Sequence, residues 1–276
     1  MNYPITMIDT HCHLDAPEFN LDREQVIAKS VETGVNEIVI PAVAKFNFQT
    51  VQRLAWQFDG GYYALGIHPM YVHQSQEEDL SLLEAMIKQA LASEDPRLVA
   101  IGEIGLDFFV PEIKEGVPRQ RQEFFYREQL KLAQRYDLPV LLHVRRSQDM
   151  VLKYLRQVNV VGGIAHAFNG SEQQAQYFMD LGFCLGFGGA MTFSRALQIR
   201  RLAAQVPLQY IVLETDAPDI PPAWLTGNDK RNSPSYLPRI AEELAKIRGV
   251  SLEEVAQVTN QNARRVMPRL LTSSSC

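Results

Sequence analysis

The chain has 276 residues, 46% hydrophobic and 21% charged, with a formal net charge of −5. Such a composition supplies a sizeable apolar core. The acidic balance excludes a protein that coats nucleic acid through many cationic phosphate contacts, although it leaves room for a small local cationic site.

Cysteines stand at 12, 184 and 276 with no regular spacing, and an odd number suits a reducing compartment better than a disulfide framework. The N-terminus has no basic region running into an apolar stretch, and no window approaches the roughly 18 apolar residues of a membrane span. The expected location is the cytoplasm, with no membrane and no obligate protein partner.

In chain order, short apolar runs rich in β-branched residues alternate with segments of helical spacing. The first run, 6–10, leads directly into His11, Cys12 and His13. On an extended chain residues i and i+2 point to the same side. His11 and His13 can therefore face one ion, while Cys12 points away as a small buried hydrophobe. Residues 21–34 carry helical spacing that groups Val26, Ile27 and Val31 and stops at Gly34. Runs at 37–42 and 62–67 follow, the second continuing into His68 and Pro69.

A helix over 77–93 precedes the run 98–104, which carries Glu103. Asp107, just beyond, suits either orienting a ligating histidine or forming a turn. A helix over 121–137 leads to the run 139–144, which delivers His143 and continues into Arg145 and Arg146. Their guanidinium forks fit a phosphate or a surface ion pair. The run 160–167 brings His166, and a serine-capped helix over 171–182 leads to the run 183–188.

The eighth run, 210–215, ends in Glu214, Thr215 and Asp216. Glu214 is expected on the same side as Asp216 but deeper, as a supporting or simply buried acid. Trp224, Lys230 and Arg231 occupy the next loop, where aromatic and cationic groups would suit a single-stranded end. Helical patterns at 235–249 and 251–267 close the chain before a polar tail, 271–276.

Strand and helix alternating eight times predict a closed (β/α)8 TIM barrel of the α/β class, one domain over 1–270. An open doubly wound sheet would usually announce a G-x-G-x-x-G loop after the first strand, and here that position holds the histidine pair. In such a barrel the strands deliver their last residues to one mouth. Five of the six histidines fall there, and His73 alone falls in a loop. One such histidine would suggest packing. Five beside Glu103 and Asp216 would be costly to bury uncompensated, and that mixture is what Zn, Mn or Mg ions bind.

Taken together, "IDTHCHLD", "GIHP", "AIGEIGLDFF", "LPVLLHVRRS", "IAHAFNGS" and "LETDAPDIPP" resemble the TatD family of metal-dependent hydrolases, over about residues 7–267. "NQNARRVM" is similar to the family's closing helix. The resemblance implies an amidohydrolase-like barrel, two divalent ions (Mg, Mn or Zn) and hydrolysis of phosphoesters, commonly as a deoxyribonuclease acting on nucleic acid. It further implies that His11, His13, Glu103 and Asp216 hold one ion. Glu103 would bridge to a second ion, completed by His143 and His166, and His68 would reach the substrate phosphate.

In this reading Glu103 and Asp216 are the catalytic pair, with Asp216 taking a proton from the attacking water. Arg145 binds substrate and Asp107 supports a ligand. The bare sequence leaves His68 open as a ligand or a packed histidine. Val144 stands where the family often has serine, which removes a polar contact but leaves His143 in place. The loop 108–120 matches no family pattern.

Two other functions compete. One is ester or amide cleavage, such as removal of a D-amino acid from tRNA. Related barrels often bridge their metals with a modified lysine at the fourth strand, and Glu103 in that place favours phosphoesters. The other is a non-catalytic metal-binding scaffold, which has no need of an open coordination position.

Overall fold

The computed structural model describes residues 5–227 and 230–270. Eight parallel strands form one sheet in chain order. They are β1 Met7–Asp9, β2 Val35–Pro41, β3 Gly61–Leu65, β4 Leu98–Asp107, β5 Val140–Arg145, β6 Gly163–Ala165, β7 Phe183–Phe187 and β8 Ile211–Leu213. The intervening helices are α1 Arg23–Glu32, α2 Phe48–Ala55, α3 Glu78–Ala92, α4 Gly116–Tyr136, α5 Gln148–Leu155, α6 Glu172–Asp180 and α7 Leu197–Gln205. After β8 come α8 Leu237–Arg248 and α9 Leu252–Val266. This is the (β/α)8 barrel that the alternation predicts.

The seam between β8 and β1 closes just beyond the strands themselves. Thr10 N–H donates to the Leu213 carbonyl (3.1 Å), Asp216 N–H to that of His11 (2.8 Å), and His13 N–H to that of Ala217 (2.8 Å). A side chain reinforces the seam. The Asp9 carboxylate accepts from Thr215 N–H (3.0 Å) and from the Thr215 hydroxyl (2.6 Å).

Two apolar cores flank the sheet. One lies between strands and helices and takes in Cys12, fully buried as expected. The other draws on every strand, through Ile8, Val39, Ala64, Val99, Leu141, Ile164, Cys184 and Val212. Ala263, Val266, Met267 and Leu270 of the C-terminal segment complete it. The last helix thus stoppers the barrel at the end opposite the histidines.

Some boundaries differ from the sequence expectation. β1, β6 and β8 are shorter than the apolar runs that predict them, at three residues each. β4 is longer than expected and buried at every position, so polar Glu103 and Asp107 continue an interior strand. On α1, Val31 is 51% exposed. The helix buries Ser30 in its place, whose hydroxyl is satisfied by the Val26 carbonyl (2.7 Å). The expected tail, 271–276, lies outside the described residues.

Candidate metal centre

Glu103 stands at the middle of the barrel mouth, 1% exposed. Its Oε1 lies 2.9 Å from His143 Nδ1, 3.0 Å from His166 Nε2 and 3.2 Å from His68 Nε2. Its Oε2 lies 3.1 Å from His11 Nε2 and 3.3 Å from His13 Nε2. Asp216 Oδ1 is 3.6 Å from both His11 and His13. The six residues expected as ligands therefore converge at one mouth, and His68 joins them.

Three groups bring their ligand atoms within 4.8 Å of one another: His11, His13 and Asp216; His11, Glu103 and His166; and His68, Glu103 and His143. His11 and His13 approach Glu103 from beyond the end of β1, so their shared direction owes as much to the seam bonds as to strand alternation.

The donor set fits divalent ions. Imidazole nitrogens and carboxylate oxygens are their ordinary ligands, and so many buried donors around one carboxylate need a positive charge to share. Proton affinities reflect this crowding. Burial and the neighbouring His166 push His11 down to about 3, and burial pushes His68 down to about 4. Burial also opposes charge on His13, but Glu103, Asp216 and Asp15 outweigh it and lift the ring to about 9. For Asp216 burial dominates, and its carboxyl rises to about 6. Glu103 resists the same burial, because His68, His166 and His11 hold it well below the usual carboxylate range.

Surrounding groups aim these side chains. Asp107 Oδ2 lies 3.0 Å from His143 Nε2, while Oδ1 accepts from the backbone N–H groups of Phe109 (2.8 Å) and Val110 (3.1 Å). Asp107 is thus both a support for histidine and a turn former. Glu214 Oε1 lies 3.5 Å from His166 Nδ1 and accepts from Ala167 N–H (2.5 Å). A Cβ on Gly186 would sit 2.2 Å from the other Glu214 oxygen, so only glycine at 186 leaves room for that acid. Glu214 is thus hydrogen-bonded to the Ala167 backbone and stands at ion-pair, not hydrogen-bond, distance from His166. A carboxylate bonded to the second nitrogen of a histidine, as Asp107 is to His143, fixes the ring and raises its basicity.

Asp9, which the sequence reading passed over, links the Thr215 backbone and hydroxyl to the His11 N–H (3.3 Å). Its one sequence signal is an acid inside an apolar run. Ala167, Asp216 and Arg146 adopt φ values of +45°, +58° and +54°. Non-glycine residues in this region are strained and cluster at functional sites.

The loop after β8 departs from expectation. Arg231 donates to both oxygens of Asp22 (2.7 and 2.6 Å) and to the Glu18 carbonyl (2.8 Å). It ties this loop to the one before α1. The Trp224 ring lies under Arg239, 4.1 Å from the guanidinium, and packs on the outer core. Neither lines the cavity over Glu103, of about 1260 Å3. Aromatic and cationic groups at the mouth come from other loops, as Phe46, Tyr71, Phe109, Arg145 and Arg146. Val144 lines it too, an apolar contact at that position.

Residues 8–268 match the family model described as TatD related DNase. An uncharacterized metal-dependent hydrolase of Escherichia coli K12, YjjV, is 39% identical over 256 residues, 92% of this chain and 95% of that protein. Another from Bacillus subtilis, YabD, is 34% identical over 94% of this chain and 98% of its own length. The crystal structure of the E. coli TatD homologue YjjV superimposes with a TM-score of 0.88 at 37% identity, covering 96% of this chain and 99% of that one. An organophosphorus hydrolase of Deinococcus radiodurans (TM-score 0.62, 14% identity) shares the fold. A barrel whose strand ends gather five histidines about one buried glutamate, matched along nearly its whole length, belongs to the TatD family of metal-dependent hydrolases.

Proposed function

We propose that this protein is a phosphodiesterase that uses two divalent ions (Mg, Mn or Zn) to hydrolyse DNA or RNA from strand ends. One observation carries the reading. The two oxygens of Glu103 face two different sets of imidazoles, His11 with His13 and His68 with His143 and His166. A carboxylate so placed suits bridging two ions. The family description as a related DNase supports the same substrate class.

His11, His13, Asp216 and Glu103 would hold the first ion, and Glu103, His143 and His166 the second. Bound ions supply positive charge at the reacting phosphate and make an attacking water easier to deprotonate. Asp216, at the more open edge of the cluster with 12% of its side chain exposed, accepts the proton from that water. Because its Nδ1 accepts from Met70 N–H (3.1 Å), His68 carries its proton on Nε2, which faces Glu103 here (3.2 Å) and would donate to a phosphate oxygen when that carboxylate is taken up by ions. Arg145 holds a phosphate at the rim, while Asp107 and Glu214 keep His143 and His166 aimed. Among the described residues no helix is long and apolar enough to cross a membrane. Cys12 and Cys184 are free and buried, which fits work in a reducing cytoplasm.

The test is a parallel assay of metal-loaded protein on single-stranded DNA, a nucleotide phosphoester panel and D-aminoacyl-tRNA, with metal content measured on the same samples. Phosphoester cleavage with two ions per chain is expected, and His68→Ala should lose rate while keeping both ions. Deacylation without phosphoester cleavage would overturn the reading. Loss of one ion in the variant would make His68 a ligand.

A further inference from the structure

Two arms of side chains leave the Glu103 cluster side by side. Their roots are His68 and His143, whose ring centroids are 4.4 Å apart and meet edge to face. From His68 a file of rings runs outward, to Tyr71 at 6.1 Å and from there to Phe46 at 5.5 Å, both edge-on. Phe46 is 64% exposed and Met70, next to Tyr71, is 41% exposed. A phenyl ring presented to water at the rim of a charged mouth gains nothing from core packing.

From His143 the other arm is cationic. Arg145 stands 3.9 Å from Asp107 Oδ2, and its guanidinium lies 3.9 Å from the centroid of Phe109. Arg146 shares that ring at 4.6 Å. Among the described residues its guanidinium has neither a hydrogen bond nor an ion pair. Stacking on a ring holds a guanidinium by its face and leaves its in-plane N–H edge for an anion. The cavity joining both arms, about 1260 Å3, exceeds the roughly 300–1,000 Å3 of an ordinary small-ligand pocket. It has room for more than one nucleotide.

Resting on the phosphodiesterase reading above, we infer that the two arms are paired subsites for a polynucleotide end. A base stacks on Phe46 beside Tyr71, and the phosphate of a neighbouring nucleotide is gripped by Arg145 and Arg146. The chemistry of each arm selects its half of a nucleotide. A flat apolar ring meets a base of any sequence, and paired guanidinium edges meet phosphate oxygens. Turning a terminal base onto Phe46 takes it away from its pairing partner, a cost that a single strand does not carry, so these subsites favour an unpaired end.

The test uses metal-loaded protein and single-stranded oligonucleotides carrying 2-aminopurine at one terminus or the other. Stopped-flow mixing reads quenching of the probe on binding, and steady-state kinetics read KM and kcat. Wild type should quench the probe at one terminus. Phe46→Ala should lose that quenching and raise KM about 10-fold, on the scale of one base–aromatic stack, with kcat moving far less. Phe46→Trp should restore both. With an abasic terminal residue, wild type and Phe46→Ala should share one KM. Arg145→Ala and Arg146→Ala should raise KM on base-bearing and abasic substrates alike, each lowering the salt slope of binding by about 1 while quenching persists.

Unchanged quenching and KM in Phe46→Ala would overturn the base subsite. An unchanged KM and salt slope in both arginine variants would overturn the phosphate subsite. If wild type cleaves phosphoesters but treats abasic and base-bearing ends alike, the base subsite falls and the phosphodiesterase reading stands. If it cleaves none, both fall.

Discussion

At the lower end of the barrel, Val266, Met267 and Leu270 close the interior against Ile8, Cys184 and Val212. At the upper end the strands lead to five histidines, Glu103 and Asp216, most of them buried. Apolar burial contributes roughly 25 cal/mol per Å2, whereas burying ionisable groups costs free energy unless partners or ions offset it. The stoppered end therefore supplies stability that the open end uses up. A site this crowded with buried ionisable groups draws on the stability supplied where the opposite end of the same sheet is closed by hydrocarbon.

That contrast breaks first at Glu103. Replacing Glu103 with Gln should cut kcat/KM by more than about 100-fold, because even partners one step removed from a metal are typically worth 10–100-fold. Metal content should fall with it, while thermal melts in chelator stay cooperative. Wild-type turnover with unchanged metal content would mean that the glutamate does not bridge.

Next comes the stopper. Met267→Ala removes a fully buried side chain and should cost about 2–5 kcal/mol in urea unfolding. Activity per folded molecule should remain at the wild-type level. A variant with unaltered stability but impaired catalysis would show that the two ends are not separable in this way.

The smallest effect is expected at Arg231, which sharpens the boundary of the mouth. With its guanidinium held by Asp22 and the Glu18 carbonyl, Arg231→Ala should leave KM and the salt slope of oligonucleotide binding unchanged. Its stability should change little, as for most exposed pairs. A raised KM would return this loop to the substrate surface.

Much of the candidate metal centre was legible in the chain alone. His11, His13, Glu103, His143, His166 and Asp216 each stand at or just past the end of an apolar run, and His68 follows the third. The aromatic and cationic rim was read less well. Trp224 and Arg231 have the right chemistry in a mouth loop, yet one packs beneath Arg239 and the other clamps Asp22. Phe46 and Phe109 carry no periodic signal that would separate them from core residues. Asp9 has no evident role in the sequence, because its partner Thr215 stands 206 residues away.

Sequence by itself determined the barrel and the end at which the site lies. Parallel strands covered on both faces need continuous apolar runs, and right-handed crossovers deliver every strand end to one face. Only tertiary structure decided which atoms meet: Glu103 between two sets of imidazoles, Glu214 in the space left by Gly186, and two arginines on the single ring of Phe109. Alternation and periodicity act over a few neighbouring residues. These contacts instead depend on how loops from separate strands pass one another above the sheet, which the packing of the whole barrel sets.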